Sequence, residues 1–275
     1  ISVLVSAYNL GIKRFTFFRN VAFVKKLAIW LFIVLTLFSF TSCLMGIPKS
    51  GTQKEFKLWL NENKQHSHHL QSAEEQKALT PDQVLKDFKD GNLRFKTTNV
   101  THRYHNEDIR KAATGGQYPK AVVISCLDSR VPVEDVFDQG IGDVFVGRVA
   151  GNFVNTDLLG SMEFACKVAG AKLILVMGHQ HCGAVKGAID DVKLGNITSM
   201  LANIKPAVAM SQNFIGEKSS NNEAFVREVA QNNVRNTINQ IRQKSPILSE
   251  MEQNGAIKIV GAFYTLRTGE LVFLD

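Results

Sequence analysis

Apolar residues fall along the chain in runs of different period, and each kind predicts a different element. Ala121-Val122-Val123-Ile124-Ser125, Val144-Phe145-Val146 and Lys172-Leu173-Ile174-Leu175-Val176-Met177 are short and nearly free of polar interruptions. Runs of that length predict strands buried on both faces, as in a parallel sheet. Val84, Leu85, Phe88 and Leu93 instead keep helical spacing, behind Thr80 as a capping residue and Pro81 in the first turn. Leu158–Val168 predicts a second helix, and Asn222–Gln243 a long one with a polar face. Ile257–Leu266 and Leu271–Leu274, joined around Thr268-Gly269, predict a terminal hairpin. Strands alternating with helices make this an α/β protein with a mainly parallel central β-sheet flanked by helices. No internal repeat interrupts the pattern.

One apolar run does not belong to the domain. Leu27–Phe40 carries no charge, follows Lys25-Lys26 and meets Thr41-Ser42-Cys43. A positive flank, an apolar core and small residues at the boundary describe an export signal. Cys43 directly after Thr-Ser resembles the lipobox of bacterial lipoproteins, with Phe40 where Leu is usual. The alternative is an anchoring helix running on through Ile47, about 20 residues long and near the minimum for spanning a bilayer. The expected organisation is therefore an export signal or membrane anchor over 1–42, a tether over 43–79 and a folded domain over 80–275. Either reading predicts an exported domain, periplasmic or membrane-anchored through the N-terminal segment or a lipidated Cys43. The tether holds His66, His68 and His69, which read as solvated linker because no Cys or carboxylate stands at fixed spacing around them.

Charge sharpens this division. The chain of 275 residues has a formal charge of +7. Lys13, Arg14, Arg19, Lys25 and Lys26 all lie in the leader, which has no acid; the remaining 27 basic residues face 25 acidic ones. The basic excess thus belongs to the leader, and no basic stripe with interleaved aromatics predicts a nucleic-acid partner. Membrane contact is expected only through the N-terminal segment.

The candidate chemistry sits where two predicted strands end. Cys126-Leu127-Asp128-Ser129-Arg130 follows Ile124-Ser125, and Gly178-His179-Gln180-His181-Cys182-Gly183 follows Val176-Met177. Ligands of open parallel sheets bind outside the carboxyl ends of the strands. Two thiolates and one imidazole, Cys126, His179 and Cys182, form a soft set suited to Zn²⁺ with one position left open. Water bound at such a position has a pKa of about 7 and supplies hydroxide at neutral pH. Asp128, two residues from a ligand, could close the site as a fourth donor; Arg130 can hold it away through a bidentate ion pair. Cys166 lies within a predicted helix and reads as a small core residue.

Cys-x-Asp-Ser-Arg-Val-Pro, followed 53 positions after its Cys by His-x-x-Cys-Gly-Ala, resembles the β-class carbonic anhydrases. The likeness spans Thr80 to Leu274. It implies a parallel sheet of four strands plus an edge strand, a homodimer or dimer of dimers, and one Zn²⁺ per subunit. The zinc ligands carry over to Cys126, His179 and Cys182, and the catalytic dyad to Asp128 and Arg130. By the same resemblance Gln117, nine residues before the first zinc Cys, hydrogen-bonds substrate, while Phe145, Ala150 and Phe164 line its pocket. Ordinary core packing is the competing reading for Phe145 and Phe164. Members inhibited by bicarbonate at a separate site carry Trp three residues before the first zinc Cys; Val123 stands there here, which implies the open type without that inhibition.

The activity implied is reversible hydration of CO₂ to bicarbonate and a proton by zinc-bound hydroxide, with His181 a candidate proton shuttle. Hydrolysis of COS or CS₂ on the same site, or a non-catalytic zinc-binding lipoprotein, are the alternatives.

Overall fold

The structure is a computed structural model that describes residues 68–101 and 105–274. The leader over 1–42, Cys43, His66 and the rest of the tether to residue 67 lie outside the described residues. Among the described residues, no helix is long and apolar enough to cross a membrane.

Helices α1 (Ala73–Ala78) and α2 (Pro81–Lys96) both begin with capping boxes, Ser72 with Glu75 and Thr80 with Gln83. The face of α2 that packs inward is set by Val84 and Phe88, which are fully buried. Leu93 departs from its expected role: it is 58% exposed. Its neighbour Asn92 turns inward instead, donating to the carbonyls of Val136 and Gly269 and accepting from the Leu271 amide. The bonds compensate the burial of that polar side chain.

After α3 (Glu107–Ala113) the chain enters β1 (Ala121–Ser125), then α4 (Val133–Val136), β2 (Val144–Arg148) and α5 (Thr156–Glu163). The predicted second helix is α5, which passes at Phe164 into one π-helical turn, Phe164–Val168. β3 (Leu173–His179) follows, then the short helices α6 (Gly183–Ile189), α7 (Gly195–Ala202) and α8 (Lys205–Met210). The long α9 (Glu223–Lys244) and α10 (Pro246–Gln253) lead to the predicted hairpin, β4 (Lys258–Thr265) and β5 (Glu270–Leu274).

The strands form one sheet in the order β2-β1-β3-β4-β5. The first four are mutually parallel and β5 runs antiparallel at one edge. β1 and β3 are buried along their whole length, which is why their sequences carry no polar alternation. On one face Val122, Ile124, Ile174 and Val176 meet Met162, Cys166, Ile238 and Ile241. On the other, Val123, Leu173, Leu175 and Met177 meet Val84, Phe88 and Phe137.

The segment read as tether is part of this packing from His68 onward. His68 Nε2 lies 2.9 Å from Asp143 Oδ2, with only 9% of its side chain exposed. Gln71 donates to the Tyr118 carbonyl, and the buried Gln76 to those of Pro119 and Ala169. These bonds fasten residues 68–79 against the N-terminal ends of the strands, so a boundary at Thr80 falls inside the packed unit.

Candidate metal centre

Three strand ends converge on one point. Ser125 of β1 is in register with Arg148 of β2 and Met177 of β3. Cys126 therefore emerges beside the end of β3, whose last residue is His179, while Cys182 stands immediately before α6. Cys126, His179 and Cys182 are 4%, 1% and 1% exposed. Their donor atoms all lie within 4.8 Å of one another.

The ring of His179 is fixed. Its Nδ1 lies 2.9 Å from the Gln180 carbonyl, which makes Nδ1–H the donor. Nε2 is then the free lone pair, buried and without a hydrogen-bond partner. Asp128 Oδ2, 3.9 Å away, is too distant to serve as one.

The two sulfurs lie 4.0 Å apart. That contact with Cys182, aided by the Gly151 amide, draws the Cys126 thiol down from its ordinary value. Contact with Cys126 and burial push the Cys182 thiol up, so a proton left on the pair resides there. Cys166, alone in the core, is pushed up to about 12 by burial, which matches its reading as an inert packing residue.

Asp128 and Arg130 form the expected bidentate pair. Arg130 Nε donates to Oδ1 at 2.9 Å and Nη2 to Oδ2 at 2.7 Å, while the Arg130 amide also donates to Oδ1 at 2.9 Å. The guanidinium bonds hold the Asp128 carboxyl at about 2, well below the usual carboxylate range. Asp128 is thus ionised and acceptor-only throughout the neutral range.

Arg148, at the end of β2, has a role the sequence did not assign. Its Nε donates to the Cys126 carbonyl at 3.0 Å, and Nη2 donates to those of Asp128 and Val131 at 2.7 and 2.9 Å. One fork thus staples the loop that carries both a metal donor and the dyad. Arg148→Met should lower stability by about 1 kcal/mol, the net worth of such hydrogen bonds where water can partly replace the lost donor. Arg148→Lys should recover only part of this, since an ammonium cannot reproduce the planar fork. Thermal melts of the three proteins, with metal content alongside, check the ordering.

The proposed pocket residues divide. Ala150 adjoins Gly151, whose amide donates to Cys126 Sγ at 3.3 Å. Gln117 is exposed and precedes β1, so the whole strand, about 16 Å long at its usual rise, separates it from Cys126. Phe145 and the half-exposed Phe164 meet edge to face, with ring centroids 6.2 Å apart. They line a groove of about 700 Å³ beside edge strand β2, which none of the three metal donors borders. Within one chain, then, Gln117, Phe145 and Phe164 are not brought to the metal donors, because they start from the wrong end or the outer edge of the sheet. His181 has a left-handed backbone (φ 55°) and borders a cavity of about 330 Å³ shared with His179, Glu223 and Phe263. Val123 is fully buried in the core.

These donors fit zinc. A tetrahedral ion with zinc–sulfur bonds of about 2.3 Å sets its sulfurs about 3.8 Å apart, close to the 4.0 Å found. The orphaned His179 Nε2 supplies the nitrogen. Asp128, the one carboxylate beside them, is committed to Arg130 and leaves a fourth position open.

Comparison with known proteins agrees with this geometry. A family model described as "Carbonic anhydrase" matches residues 121–271. Carbonic anhydrase 2 of Mycobacterium tuberculosis (strain ATCC 25618 / H37Rv) is 36% identical over 200 residues, 71% of this chain and 93% of its own. Among solved structures, the β-carbonic anhydrase CcaA aligns with a TM-score of 0.56 at 24% identity, covering 70% of this chain and 86% of that one. One of two tetrameric β-carbonic anhydrases from Sordaria macrospora gives 0.55 at 23% identity, over 70% and 98%. With sheet order, donor set and relatives in agreement, the chain belongs to the β-class carbonic anhydrases, the family that hydrates carbon dioxide reversibly.

Proposed function

We propose that Cys126, His179 and Cys182 bind one zinc ion per chain and that CO₂ and bicarbonate are interconverted there with Asp128 and Arg130. The observation that carries this is the burial of three converging donors beside a carboxylate kept off them by its own arginine. Zinc held by such a set supplies Lewis acidity and activates water at neutral pH.

The chain's residues supply orientation. The Gln180 carbonyl fixes the tautomer of His179 and aims Nε2 at the ion. Arg130 occupies both Asp128 oxygens from one side, leaving Oδ2, the oxygen nearer His179, able to accept one more hydrogen bond. An ionised, acceptor-only carboxylate there holds the proton of water or of the bicarbonate O–H and turns the oxygen lone pair toward carbon. Because Asp128 is held near 2, that function persists into mildly acid solution.

Gln117, Phe145 and Phe164 act on substrate in this reading only if a second copy delivers them. Among the described residues β2 is an edge strand, and that edge with the apolar groove over Phe145 and Phe164 supports a homodimer joined there, alone or paired into a dimer of dimers. The tetrameric Sordaria relatives are in keeping with this. The apolar run 27–40 and Cys43 support export, with the domain periplasmic or membrane-anchored.

Zinc content and stopped-flow CO₂ hydration on the full chain test the proposal. The expected result is about one zinc per chain with hydration that chelation abolishes and zinc restores. A zinc-loaded chain inert toward CO₂ at alkaline pH would refute it, and faster turnover of COS would move the substrate assignment.

A further inference from the structure

α9 reaches the metal centre through two polar side chains that ought to be unwelcome where they sit. Asn233 and Thr237 are four residues apart on the inward face of this helix, and they are 0% and 1% exposed. Burying an amide and a hydroxyl there is unfavourable unless both are bonded. The Asn233 NH₂ and the Thr237 hydroxyl both bond to the same short turn, while Asn233 Oδ1 is buried without a partner. Asn233 Nδ2 donates to the Gly151 carbonyl at 2.6 Å, and Thr237 Oγ1 to the Asn152 carbonyl at 3.2 Å.

That turn is an unusual piece of backbone. Gly151 and Asn152 both have left-handed conformations, with φ of 86° and 42°. At this left-handed φ a side chain at Gly151 would be strained, and its Cβ would also crowd Ile204, so glycine is favoured there. Two successive left-handed residues are not a conformation that local preference maintains. The same turn presents the Gly151 amide to Cys126 Sγ at 3.3 Å, inside the core. Pinning the carbonyls of residues 151 and 152 fixes the backbone on the far side of that amide and so fixes its aim.

We infer that Asn233 and Thr237 are positioning residues that hold the Gly151 N–H on the sulfur of Cys126, making α9 an outer support of the metal site; the inference rests on Cys126 being a metal ligand. A hydrogen bond to a ligand sulfur lowers the energy of its lone pair and holds the sulfur in the orientation that binding requires, so its loss both raises the donor orbital and removes pre-organisation. Outer partners of this kind are typically worth about 10–100-fold in metal affinity.

The test is made on full-length protein with cobalt(II) in place of zinc, because the sulfur-to-cobalt charge-transfer band reports the thiolate lone pair directly. Asn233→Leu and Thr237→Val remove the two donors at nearly constant shape, and Thr237→Ser keeps the hydroxyl. In the two donor-less variants the band should move to lower energy and zinc affinity, read by competition with a chelating dye, should fall about 10–100-fold. Thr237→Ser should match the parent in both. Bands that superimpose on the parent's while only the melting temperature drops would overturn the inference and leave the two side chains a purely structural role. If Asn233→Leu does not fold, Thr237→Val against Thr237→Ser decides alone. A parent protein that binds cobalt without any sulfur-to-cobalt band would overturn the ligand assignment of Cys126 itself, and this inference with it.

Discussion

Cys126→Ser protein is expected to fold, to purify with less than about a tenth of a zinc per chain, and to hydrate CO₂ at no more than background rate. The reasoning is about donors. A serine hydroxyl does not ionise near neutrality, so the substitution replaces a thiol that its surroundings make easier to ionise with a neutral, harder oxygen. Loss of one of three protein ligands should exceed the roughly 100-fold that outer partners contribute. His179→Ala should behave alike, since Nε2 of His179 is the only nitrogen in the donor group. Metal analysis, far-UV circular dichroism and stopped-flow hydration read the three outcomes separately. Full zinc content in Cys126→Ser would mean that the ion is held elsewhere.

Asp128→Asn should part the two properties that Cys126→Ser loses together. None of the three donors changes, so zinc should remain near one per chain. The rate should fall about 10²–10³-fold, the usual range when a positioned hydrogen-bonding group at the reacting centre is lost. An amide keeps the shape of the carboxylate but carries only one acceptor oxygen, and its NH₂ would face either Arg130 or the substrate proton. The wild-type acid limb provides a second check. Arg130 depresses the folded-state value of Asp128 to about 2. The stability this pair contributes is therefore present above the ordinary carboxylate value of about 4 and is lost as pH falls toward 2. No inflection in rate between pH 5 and 9 should belong to Asp128, and Asp128→Asn should leave the shape of the profile there unchanged while lowering it throughout. Near-parental turnover in Asp128→Asn would reduce the pair to a loop contact.

Much of the fold was legible because strands buried on both faces leave uninterrupted apolar runs. Ala121–Ser125 and Leu173–His179 are such runs, and the metal donors lie at or just beyond their ends. The helices between Gly183 and Met210 left no comparable trace. None of α6, α7 or α8 has a side-chain cap, and none exceeds eight residues, so neither a start signal nor a full period was there to find. Leu93 left the inward face expected of it because the three hydrogen bonds of its neighbour Asn92 outweighed one leucine at helical spacing. Residues 68–79 read as tether because they dock through side chain-to-backbone bonds, such as those of Gln76, and hydropathy does not register these.

The supports of the site were hidden for a related reason. Arg148 acts on carbonyls 17 to 22 positions earlier in the chain, and Asn233 on one 82 positions away. Carbonyls are present at every residue, so no side-chain pattern marks which ones will be used. The polar face of the helix expected over Asn222–Gln243 did not mark Asn233 or Thr237 as inward-facing. Only the placement of α9 against the Gly151–Asn152 turn turns those polar positions inward.

Zinc K-edge X-ray absorption on the full-length protein probes the metal centre most directly. Two sulfur neighbours near ~2.3 Å and two lighter atoms near ~2.0 Å, one of them exchangeable with solvent, are predicted. A coordination shell lacking sulfur, or one in which Asp128 fills the fourth position of the active protein, would contradict the assignment.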